Sequence, residues 1–495
     1  MIPPLTRRRF LSSLAAATGA TALAPVLPDL ARGADPIRLA ADRRTIEVNG
    51  KAASVFGLRQ PDGTPGVTLD PGQRFAVELA NRCGEPTIVH WHGQTPPVRQ
   101  DGVEDTRLVP LIPNGKSQRY DYAPRPGTHW MHSHQGLQEQ LLMAAPLVVR
   151  SNADATADAQ EVVVLFHDFS FRDPARILAE LAKGGGMAGM DMGADHSSMP
   201  GMKMNDTSDM SEKGHGSAET DYGDVDLNDI DFDAYLANDR TLADPMVVRT
   251  ERGGRVRLRL INGASATAFW IELGGLSGTV IAVDGDPVKP VEVRRFPMAM
   301  AQRVDVMVAM PAGGGAFPIL AQREGDRART GIVLATPGAA IAKIAAAADA
   351  VVAPIDLSLE RRLETVSPPM TVKPDVVHRV ALTGQMMPYN WGINGKPWAK
   401  RATLAVAKGQ RVALDVVNRT HMAHPMHLHG HHFQVVAIDG NAISGAMRDT
   451  VLVPVAGSVR IAFDADNPGR WLFHCHNLYH MLTGMMTEIV YKDFA

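Results

Sequence analysis

Cysteine is almost absent from this sequence: two of its 495 residues are cysteines, Cys83 and Cys475. If Cys475 binds a metal ion, Cys83 has no partner left and an intrachain disulfide is excluded. We therefore expect Cys83 to be inert and half-buried. A charge excess of one sign is also missing, since the formal net charge is −3, and this argues against nucleic acid as a partner. After the N-terminal segment, no apolar run is long enough to cross a bilayer, so we expect no membrane insertion.

The N-terminus combines basic residues with an apolar run. The segment Thr6-Arg7-Arg8-Arg9-Phe10-Leu11 is followed by an Ala-rich stretch that extends to about Leu27. An arginine pair, Phe-Leu and then an apolar run with prolines near its end is typical of a twin-arginine export signal. A frayed basic terminus is the alternative. We predict that residues 1–34 are a signal peptide, that the twin-arginine (Tat) export machinery is a partner, and that the mature protein is periplasmic.

Methionine (24 residues) and histidine (18 residues) are unusually frequent, and both are metal-ligand types. Five potential ligands are concentrated between residues 470 and 486: His474, Cys475, His476, His480 and Met485. A thiolate, two imidazoles and a thioether are the ligand set of a blue copper site. Because side chains alternate along a strand, Cys475 faces one way while His474 and His476 face the other. The stretch therefore predicts two metal sites joined by one short peptide.

An internal repeat organises the rest of the chain. The segment Gly72–Arg82 reappears as Gly409–Arg419, and Gly254–Asn262 is a weaker copy. Each copy has a Gly turn, an alternating strand and an Asn turn, and helical periodicity is scarce. The pattern predicts an all-β protein built from Greek-key β-barrels or sandwiches. Three domains are predicted, at residues 35–152, 153–340 and 350–495, with an Ala-rich linker near 339–350.

The repeat also locates further histidines. His90 lies nine residues after the Asn of the first copy, His427 nine after that of the third, and the same step in the middle copy reaches Ile271. The first and third repeats each contain two His-x-His segments, and the middle repeat contains none. The four pairs are His90 and His92, His132 and His134, His427 and His429, and His474 and His476. A strand directs both histidines of such a pair to one face. Four matching pairs therefore predict a metal cluster between the first and third domains, with the second domain holding the ends in place.

In order and spacing, these motifs resemble those of three-domain multicopper oxidases. The motifs are His-Trp-His-Gly at 90–93, His-Ser-His at 132–134, His-Pro-Met-His-Leu-His-Gly at 424–430, and His-Cys-His-Asn-Leu-Tyr-His at 474–480. The segment Gln138-Glu139-Gln140, the run from Asp466 to Trp471 and a Met-rich insertion resemble the bacterial copper-resistance and cuprous-oxidase branch. The resemblance implies three cupredoxin-like domains and four copper ions: one type 1, one type 2 and a binuclear type 3 pair.

The resemblance also implies which residue binds which copper. The type 1 ligands would be His424, Cys475 and His480, with Met485 as the axial ligand; Met486 is one residue out of register. The type 2 copper would take His90 and His427. The two type 3 coppers would take the remaining six histidines: His92, His132 and His476 for one, and His134, His429 and His474 for the other.

Proton delivery to the cluster is assigned to Asp101, in Gln100-Asp101-Gly102, because it matches a family acid near the cluster. The alternative is an ordinary Asp-Gly turn. Many bacterial laccase-like relatives carry an acid directly after the second type 1 histidine, and this chain has Met481 there. We therefore expect Asp101 to matter more in this protein.

A Gly-, Ser- and Asp-rich insertion at residues 184–216 has too few aliphatic residues to form a core. Its potential ligands are Met187, Met190, Met192, Met199, Met202, Met204, Met210, His196 and His215. Because thioethers select Cu(I), we interpret the insertion as an exposed loop of the second domain that collects extra Cu(I). The alternative is a tolerated low-complexity segment. Met422, two residues before His424, either helps to bind a substrate copper, as in cuprous oxidases, or packs in the core.

The resemblance implies an enzyme that couples four one-electron oxidations to the reduction of O2 to two waters. The expected donor is Cu(I), with phenols as secondary substrates, and the expected role is copper tolerance by a monomeric protein. Two alternatives stay open: a phenol-oxidising laccase proper, and a copper-binding resistance protein with incidental oxidase activity. Copper nitrite reductase chemistry is disfavoured, because it does not need the paired type 3 histidines.

Overall fold

A computed structural model describes residues 35–183, 226–367 and 373–494. The predicted signal peptide and the Met-rich insertion lie outside the described residues. Within the described ranges the chain forms six β-sheets in three pairs, and no sheet mixes strands of two pairs. The prediction of an all-β protein is therefore confirmed. No helix in this part of the chain is long and apolar enough to span a membrane.

The N-terminal pair of sheets is formed by the first eight strands. They are β1 (Ile37–Val48), β2 (Lys51–Arg59), β3 (Val67–Leu69), β4 (Phe75–Arg82), β5 (Val89–His90), β6 (Ser117–Tyr122), β7 (Gly127–Ser133) and β8 (Ala144–Val149). One sheet has the order β2-β1-β4-β6 and the other β3-β8-β7-β5. Strand β4 shows the expected alternation, because every second side chain, starting with Phe75, is buried between the sheets.

The middle pair follows. Its strands are β9 (Gln160–Phe169), β10 (Ala234–Ala237), β11 (Val247–Arg249), β12 (Arg255–Asn262), β13 (Phe269–Glu272), β14 (Gly278–Val283), β15 (Asp286–Val293), β16 (Arg295–Met298), β17 (Arg303–Ala309), β18 (Ala316–Arg323) and β19 (Arg329–Ala335). The sheet orders are β10-β9-β12-β17-β14-β15 and β11-β19-β18-β13-β16. Two helices, α1 (Asn152–Thr156) and α2 (Pro174–Ala182), flank β9.

The C-terminal pair ends the chain. Its strands are β20 (Val376–Gln385), β21 (Asn390–Ile393), β22 (Leu404–Val406), β23 (Arg411–Asn418), β24 (His424–Leu428), β25 (Phe433–Ile438), β26 (Asn441–Ala442), β27 (Met447–Arg448), β28 (Thr450–Val453), β29 (Ser458–Asp464), β30 (Arg470–Cys475) and β31 (Met486–Tyr491). The sheet orders are β21-β20-β23-β29-β25-β26, with β27 on β25, and β22-β31-β30-β24-β28. Helix α3 (Leu478–Leu482) joins β30 to β31, and short 3-10 turns lie at Val98–Gln100, Glu360–Arg362 and Trp398–Lys400.

The sequence repeat corresponds to one repeated strand and turn. In each pair, the strand of the repeat runs parallel to the first strand of its sheet: β4 to β1, β12 to β9 and β23 to β20. The buried Asn at its end crosslinks the following loop through its side-chain amide. Asn81 donates to the carbonyls of Glu85 and Ile112, and Asn418 donates to those of Met422 and Val453. Because these loops lead into the next strands, the Asn turn fixes where the histidine segments begin.

Each sheet pair encloses its own apolar core, and the described residues from Pro36 onward form one compact unit. Full burial of a large aliphatic or aromatic side chain contributes about 1.5–3 kcal/mol. In the middle pair, Ile271 and Leu273 occupy the positions that hold histidines in the other two pairs, and both are buried in the core. The middle pair therefore contains no His-x-His strand, as the repeat predicted.

Candidate metal centre

Two pairs of neighbouring strands carry the predicted cluster histidines. On β5 and β7, His90 lies opposite His132. On β24 and β30, His427 lies opposite His474. The two pairs of strands occupy equivalent places in the N-terminal and C-terminal sheets, so the register that the repeat implied is present in both.

Four of the eight histidines lie on these strands, and the other four lie just after the strands end: His92, His134, His429 and His476. All eight converge in one buried cluster, with none more than 7% exposed. Nε2 of His90 lies 3.4 Å from Nε2 of His427, and Nε2 of His429 lies 3.0 Å from Nε2 of His474. The ring centre of His476 lies 5.0 Å from that of His92. The cluster thus joins N-terminal and C-terminal side chains, which confirms the predicted contact between the two ends of the chain.

Each imidazole has an inner ring nitrogen, which points to the centre of the cluster, and an outer ring nitrogen, which points away from it. In seven of the eight imidazoles the outer nitrogen contacts an oxygen atom. The acceptors are the Asp101 carbonyl for His90 (2.9 Å), Asp449 Oδ1 for His92 (3.0 Å), Glu139 Oε2 for His132 (2.7 Å), Asp105 Oδ2 for His134 (2.9 Å), the Asp449 carbonyl for His427 (2.9 Å), Asp101 Oδ2 for His429 (2.9 Å) and the Cys475 carbonyl for His474 (2.8 Å). A carbonyl can only accept, so the ring nitrogen that meets it must carry the proton. The opposite nitrogen then presents a lone pair to the cluster centre.

The inner nitrogens lack suitable partners. Four of them have no hydrogen-bond partner among the described residues: Nδ1 of His92 and Nε2 of His132, His134 and His476. The facing Nε2 atoms of His429 and His474 are both lone-pair acceptors, so their 3.0 Å contact is not a hydrogen bond. A cluster of converging lone pairs without donors fits metal cations.

Burial keeps most of these imidazoles neutral. It lowers the pKa of seven of the ten predicted histidine ligands, mainly because the charged form loses its hydration: His92, His132, His424, His427, His429, His474 and His476. The neutral imidazole is the form that binds metals.

A second, smaller site lies on the other face of β30. Nδ1 of His424 lies 3.1 Å from Nδ1 of His480, and Sγ of Cys475 lies 3.6 and 3.7 Å from these two nitrogens. All three residues are fully buried. Met485 is fully buried as well, and its carbonyl accepts from the Cys475 amide at 3.0 Å. The predicted type 1 ligands His424, Cys475 and His480 are therefore brought together.

Local structure fixes both imidazoles of this smaller site. His480 lies on α3, whose first turn is capped by Asn477; its Oδ1 accepts from the amides of Tyr479 and His480. The outer nitrogen of His424 contacts Thr420 Oγ1 at 2.7 Å, and that of His480 contacts Asp229 Oδ2 at 3.1 Å. Both inner nitrogens thus face the Cys475 sulfur.

The Cys475 thiol also fits a metal. Burial raises the pKa of this thiol well above its ordinary value, because the thiolate would lose its hydration, and the nearby charge of Asp229 raises it further. A thiolate in this position requires a bound cation. One sulfur and two imidazole nitrogens are the donor set of a blue copper site.

Several residues of the centre carry no signal in the sequence. Asp449, Glu139 and Asp105 hold ligand imidazoles from outside the four motifs, and Asp229 holds His480 from the middle part of the chain. Glu139 lies in the segment that suggested the copper-resistance branch, but nothing in that segment showed that it meets His132. Asp449 and Asp229 are far in sequence from His92 and His480, whereas Glu139 lies on the β7–β8 connection close to His132. Only the fold shows which imidazole each of these carboxylates meets.

Other predicted residues have mixed outcomes. Asp101 is buried, and its carboxylate contacts His429 and lies 3.4 Å from His90, so it borders the cluster. Met422 and Met481 are nearly buried and belong to the C-terminal core. Cys83 is fully buried rather than half-buried, because it closes the N-terminal core behind the Asn81 turn. Both cysteines are free, as predicted.

Comparison with known proteins agrees with this geometry. Family models described as multicopper oxidase match residues 41–154, 160–343 and 371–494. Multicopper oxidase MmcO of Mycobacterium tuberculosis (strain ATCC 25618 / H37Rv) is 34% identical over 455 residues, which cover 90% of this chain and 85% of that protein. A copper resistance protein A homolog of Pseudomonas syringae pv. tomato (strain ATCC BAA-871 / DC3000) is 26% identical, with 98% of both chains covered. The solved structure of Fet3p, a multicopper oxidase that functions in iron import, matches with a TM-score of 0.74 at 17% identity, covering 92% of this chain and 90% of that one.

Proposed function

The chain belongs to the multicopper oxidase family, and on this premise we propose that it is a periplasmic oxidase that takes electrons from Cu(I) and reduces O2. The family itself implies copper as cofactor, O2 as acceptor and a reducing substrate. The observation that carries the proposal is the pair of donor sets on the two faces of β30, the Cys475 site and the eight-histidine cluster.

In this proposal the copper ligands are those that the motifs imply. His424, Cys475, His480 and Met485 hold the type 1 copper, and His90 and His427 hold the type 2 copper. The type 3 coppers are held by two groups of three histidines: His92, His132 and His476, and His134, His429 and His474. Copper held by these residues would supply the one-electron redox chemistry that the four-electron reduction of O2 requires.

The protein supplies the connection and the orientation. Cys475 is bonded through the backbone to His474 and His476, whose rings lie in the cluster, and Nδ1 of His474 donates to the Cys475 carbonyl. This peptide is a direct covalent route between the two sites. The buried Asp101 carboxylate contacts two cluster imidazoles and is proposed to supply protons for water formation.

The surroundings of His480 support Cu(I) as the donor. The described chain resumes after the Met-rich insertion at Asp226, whose amide donates to the His421 carbonyl at 2.9 Å. Three residues later, Asp229 contacts His480. Before the insertion, Ile177 of α2 packs in the same apolar core as Cys475. The described residues that follow the Met-rich insertion thus contact the region of the proposed type 1 ligands, and the helix that precedes it packs against the C-terminal core. Thioethers select Cu(I).

Removal of residues 184–216 tests the choice of donor. We expect turnover with Cu(I) to fall about tenfold or more, while turnover of a phenol such as 2,6-dimethoxyphenol, assayed without free copper, is retained. Oxygen consumption with each donor is the measurement. Unchanged turnover with both donors would favour a laccase proper. Unchanged Cu(I) oxidation with fewer bound coppers would favour a sequestration role for the insertion.

Asp229→Asn tests the oxygen partner of His480. The amide keeps the shape but removes the charge that faces the imidazole, and loss of such a partner typically costs about 10–100-fold in metal affinity. We expect the blue absorbance to be lost at correspondingly lower chelator concentration. Asp226→Asn is the matched control, because the Asp226 carboxylate acts on His480 only through its charge and makes no hydrogen bond to a ligand histidine in the described part of the chain; equal sensitivity of the two variants would contradict the role of Asp229.

The proposed periplasmic location is supported by the twin-arginine pattern within residues 1–34 and by the copper-resistance name of a relative. A role in copper tolerance follows from the same name and from the proposed oxidation of Cu(I). Fractionation of the producing cell, with and without Arg7→Lys and Arg8→Lys, measures the dependence on the arginine pair.

A further inference from the structure

A fully buried ion pair joins the middle sheets to the histidine cluster. Arg303, the first residue of β17, is 0% exposed, and Asp449, just before β28, is 1% exposed. Nη1 of Arg303 donates to Asp449 Oδ1 at 2.8 Å, and Nη2 donates to Oδ2. The planar fork of an arginine matches the two oxygens of a carboxylate, so this contact fixes the carboxylate's orientation.

Asp449 holds two cluster histidines, one through its carboxylate and one through its main-chain carbonyl. Oδ1 of Asp449 accepts from His92 Nε2 at 3.0 Å, and its carbonyl accepts from His427 Nδ1 at 2.9 Å. Thr450 Oγ1 lies 3.2 Å from both of these ring nitrogens. His92 and His427 come from opposite ends of the chain, and their rings stack with centres 3.7 Å apart. Asp449 is thus the common support of both rings.

Arg303 also contacts all three sheet pairs. Its Nε donates to the Thr128 carbonyl in β7, its Nη1 donates to the neighbouring Ala301 carbonyl, and the Asp449 contact reaches the C-terminal pair. Asp284, after β14, accepts from the amides of Arg303, Asp449 and Thr450 at 2.9–3.4 Å. A guanidinium with contacts to all three parts sets their relative position at the cluster.

The glycine of the first motif makes room for this pair. Gly93 follows His92 and has φ +85°, and a side chain there would overlap Arg303, His129 and Asp449. The His-Trp-His-Gly motif therefore fits against the Arg303–Asp449 pair as well as against the cluster.

We infer that Arg303 is a positioning residue for the copper cluster, acting through Asp449 on His92 and His427. The middle sheets, which carry none of the predicted ligands, thereby determine how tightly the cluster holds copper. This inference rests on the proposed function, because it requires that the histidine cluster binds copper. The type 1 site is an internal reference, since neither Arg303 nor Asp449 contacts His424, Cys475 or His480.

The test compares Arg303→Lys and Arg303→Met with wild type in a chelator titration of the fully copper-loaded full-length protein. Bound copper is measured by metal analysis and the type 1 site by blue absorbance. Partners of ligand histidines typically contribute about 10–100-fold to metal affinity. We expect both variants to lose the non-blue coppers at a chelator concentration about 10–100-fold lower than wild type does, and to keep the blue absorbance. Lysine keeps the positive charge but cannot form the two parallel hydrogen bonds of arginine. Loss of non-blue copper from Arg303→Lys would therefore show that the geometry of the contact matters and not its charge alone. The lysine variant also serves as the test if Arg303→Met does not fold.

Arg259→Met is the matched control. Arg259 on β12 is also 0% exposed, pairs with Glu161 and Asp305, and donates to Thr128 Oγ1, but it contacts no ligand or ligand partner. We expect no selective loss of non-blue copper in this variant. The inference is overturned if the Arg303 variants hold cluster copper like wild type, or lose blue and non-blue copper in parallel. A wild-type protein without non-blue copper would instead refute the proposed function.

Discussion

Replacement of Cys475 by serine is expected to abolish the intense blue absorbance and the oxidase activity together. In the proposed type 1 site the cysteine sulfur, 3.6 and 3.7 Å from His424 and His480, is the anionic donor, and its peptide connects the site covalently to the cluster. A serine hydroxyl is a poor ligand for the copper of such a site. Metal analysis should give about four coppers in the loaded wild type and about three in the variant, because the histidine cluster is left intact.

Cys83→Ser is the control for this experiment. Cys83 is as deeply buried as Cys475, but its sulfur donates to the Glu85 carbonyl and contacts no histidine. Some loss of stability is expected there, with normal colour and normal copper content. A Cys475 variant that stays blue would refute the assignment of the type 1 site, and a wild-type content near one copper would refute the cluster.

Replacement of Asp101 by asparagine is expected to lower turnover about 10²–10³-fold with little change in copper content. Reduction of O2 to two waters consumes four protons, and positioned acids contribute about 10²–10⁴-fold to proton transfer. An asparagine oxygen can still accept from His429, so the imidazole stays oriented, but the amide cannot deliver a proton. The charge of Asp101 also acts on its surroundings, since it adds to burial in raising the pKa of the neighbouring Tyr120 and Tyr122.

Asp105→Asn is the matched comparison, because Asp105 holds His134 as Asp101 holds His429, with the same 2.9 Å contact. Asp105 is partly exposed, whereas Asp101 is buried at the cluster. Oxygen consumption and copper content are measured for both. Equal loss of activity in the two variants, or copper loss that accounts for the whole effect in Asp101→Asn, would contradict the proton role.

The ligand strands were predictable because their chemistry is local. A histidine at every second position must face one side of a strand, and the Gly-to-Asn repeat set the distance from the turn to each pair. The structure confirms the matching positions in the two repeats, with His90 opposite His132 and His427 opposite His474. The alternation around Cys475 likewise predicted two sites on the two faces of β30.

The partners of the ligands were not predictable, because they are distant in sequence and have no motif of their own. Asp449 lies 357 residues from His92, and Asp229 lies 251 residues from His480. An aspartate in a loop is usually solvated, and only the packing of three sheet pairs buries these carboxylates against imidazoles.

The sequence by itself predicted the donor residues, their pairing along the chain and the separation of two sites, since each depends on the alternation of side chains over a few residues. The tertiary structure alone decided which nitrogen of His92 and of His429 faces inward. That choice depends on oxygen acceptors from the opposite end of the chain, Asp449 for His92 and Asp101 for His429. It also decided that the middle sheets reach the cluster through Arg303, because a buried charge lies where its opposite charge is folded against it.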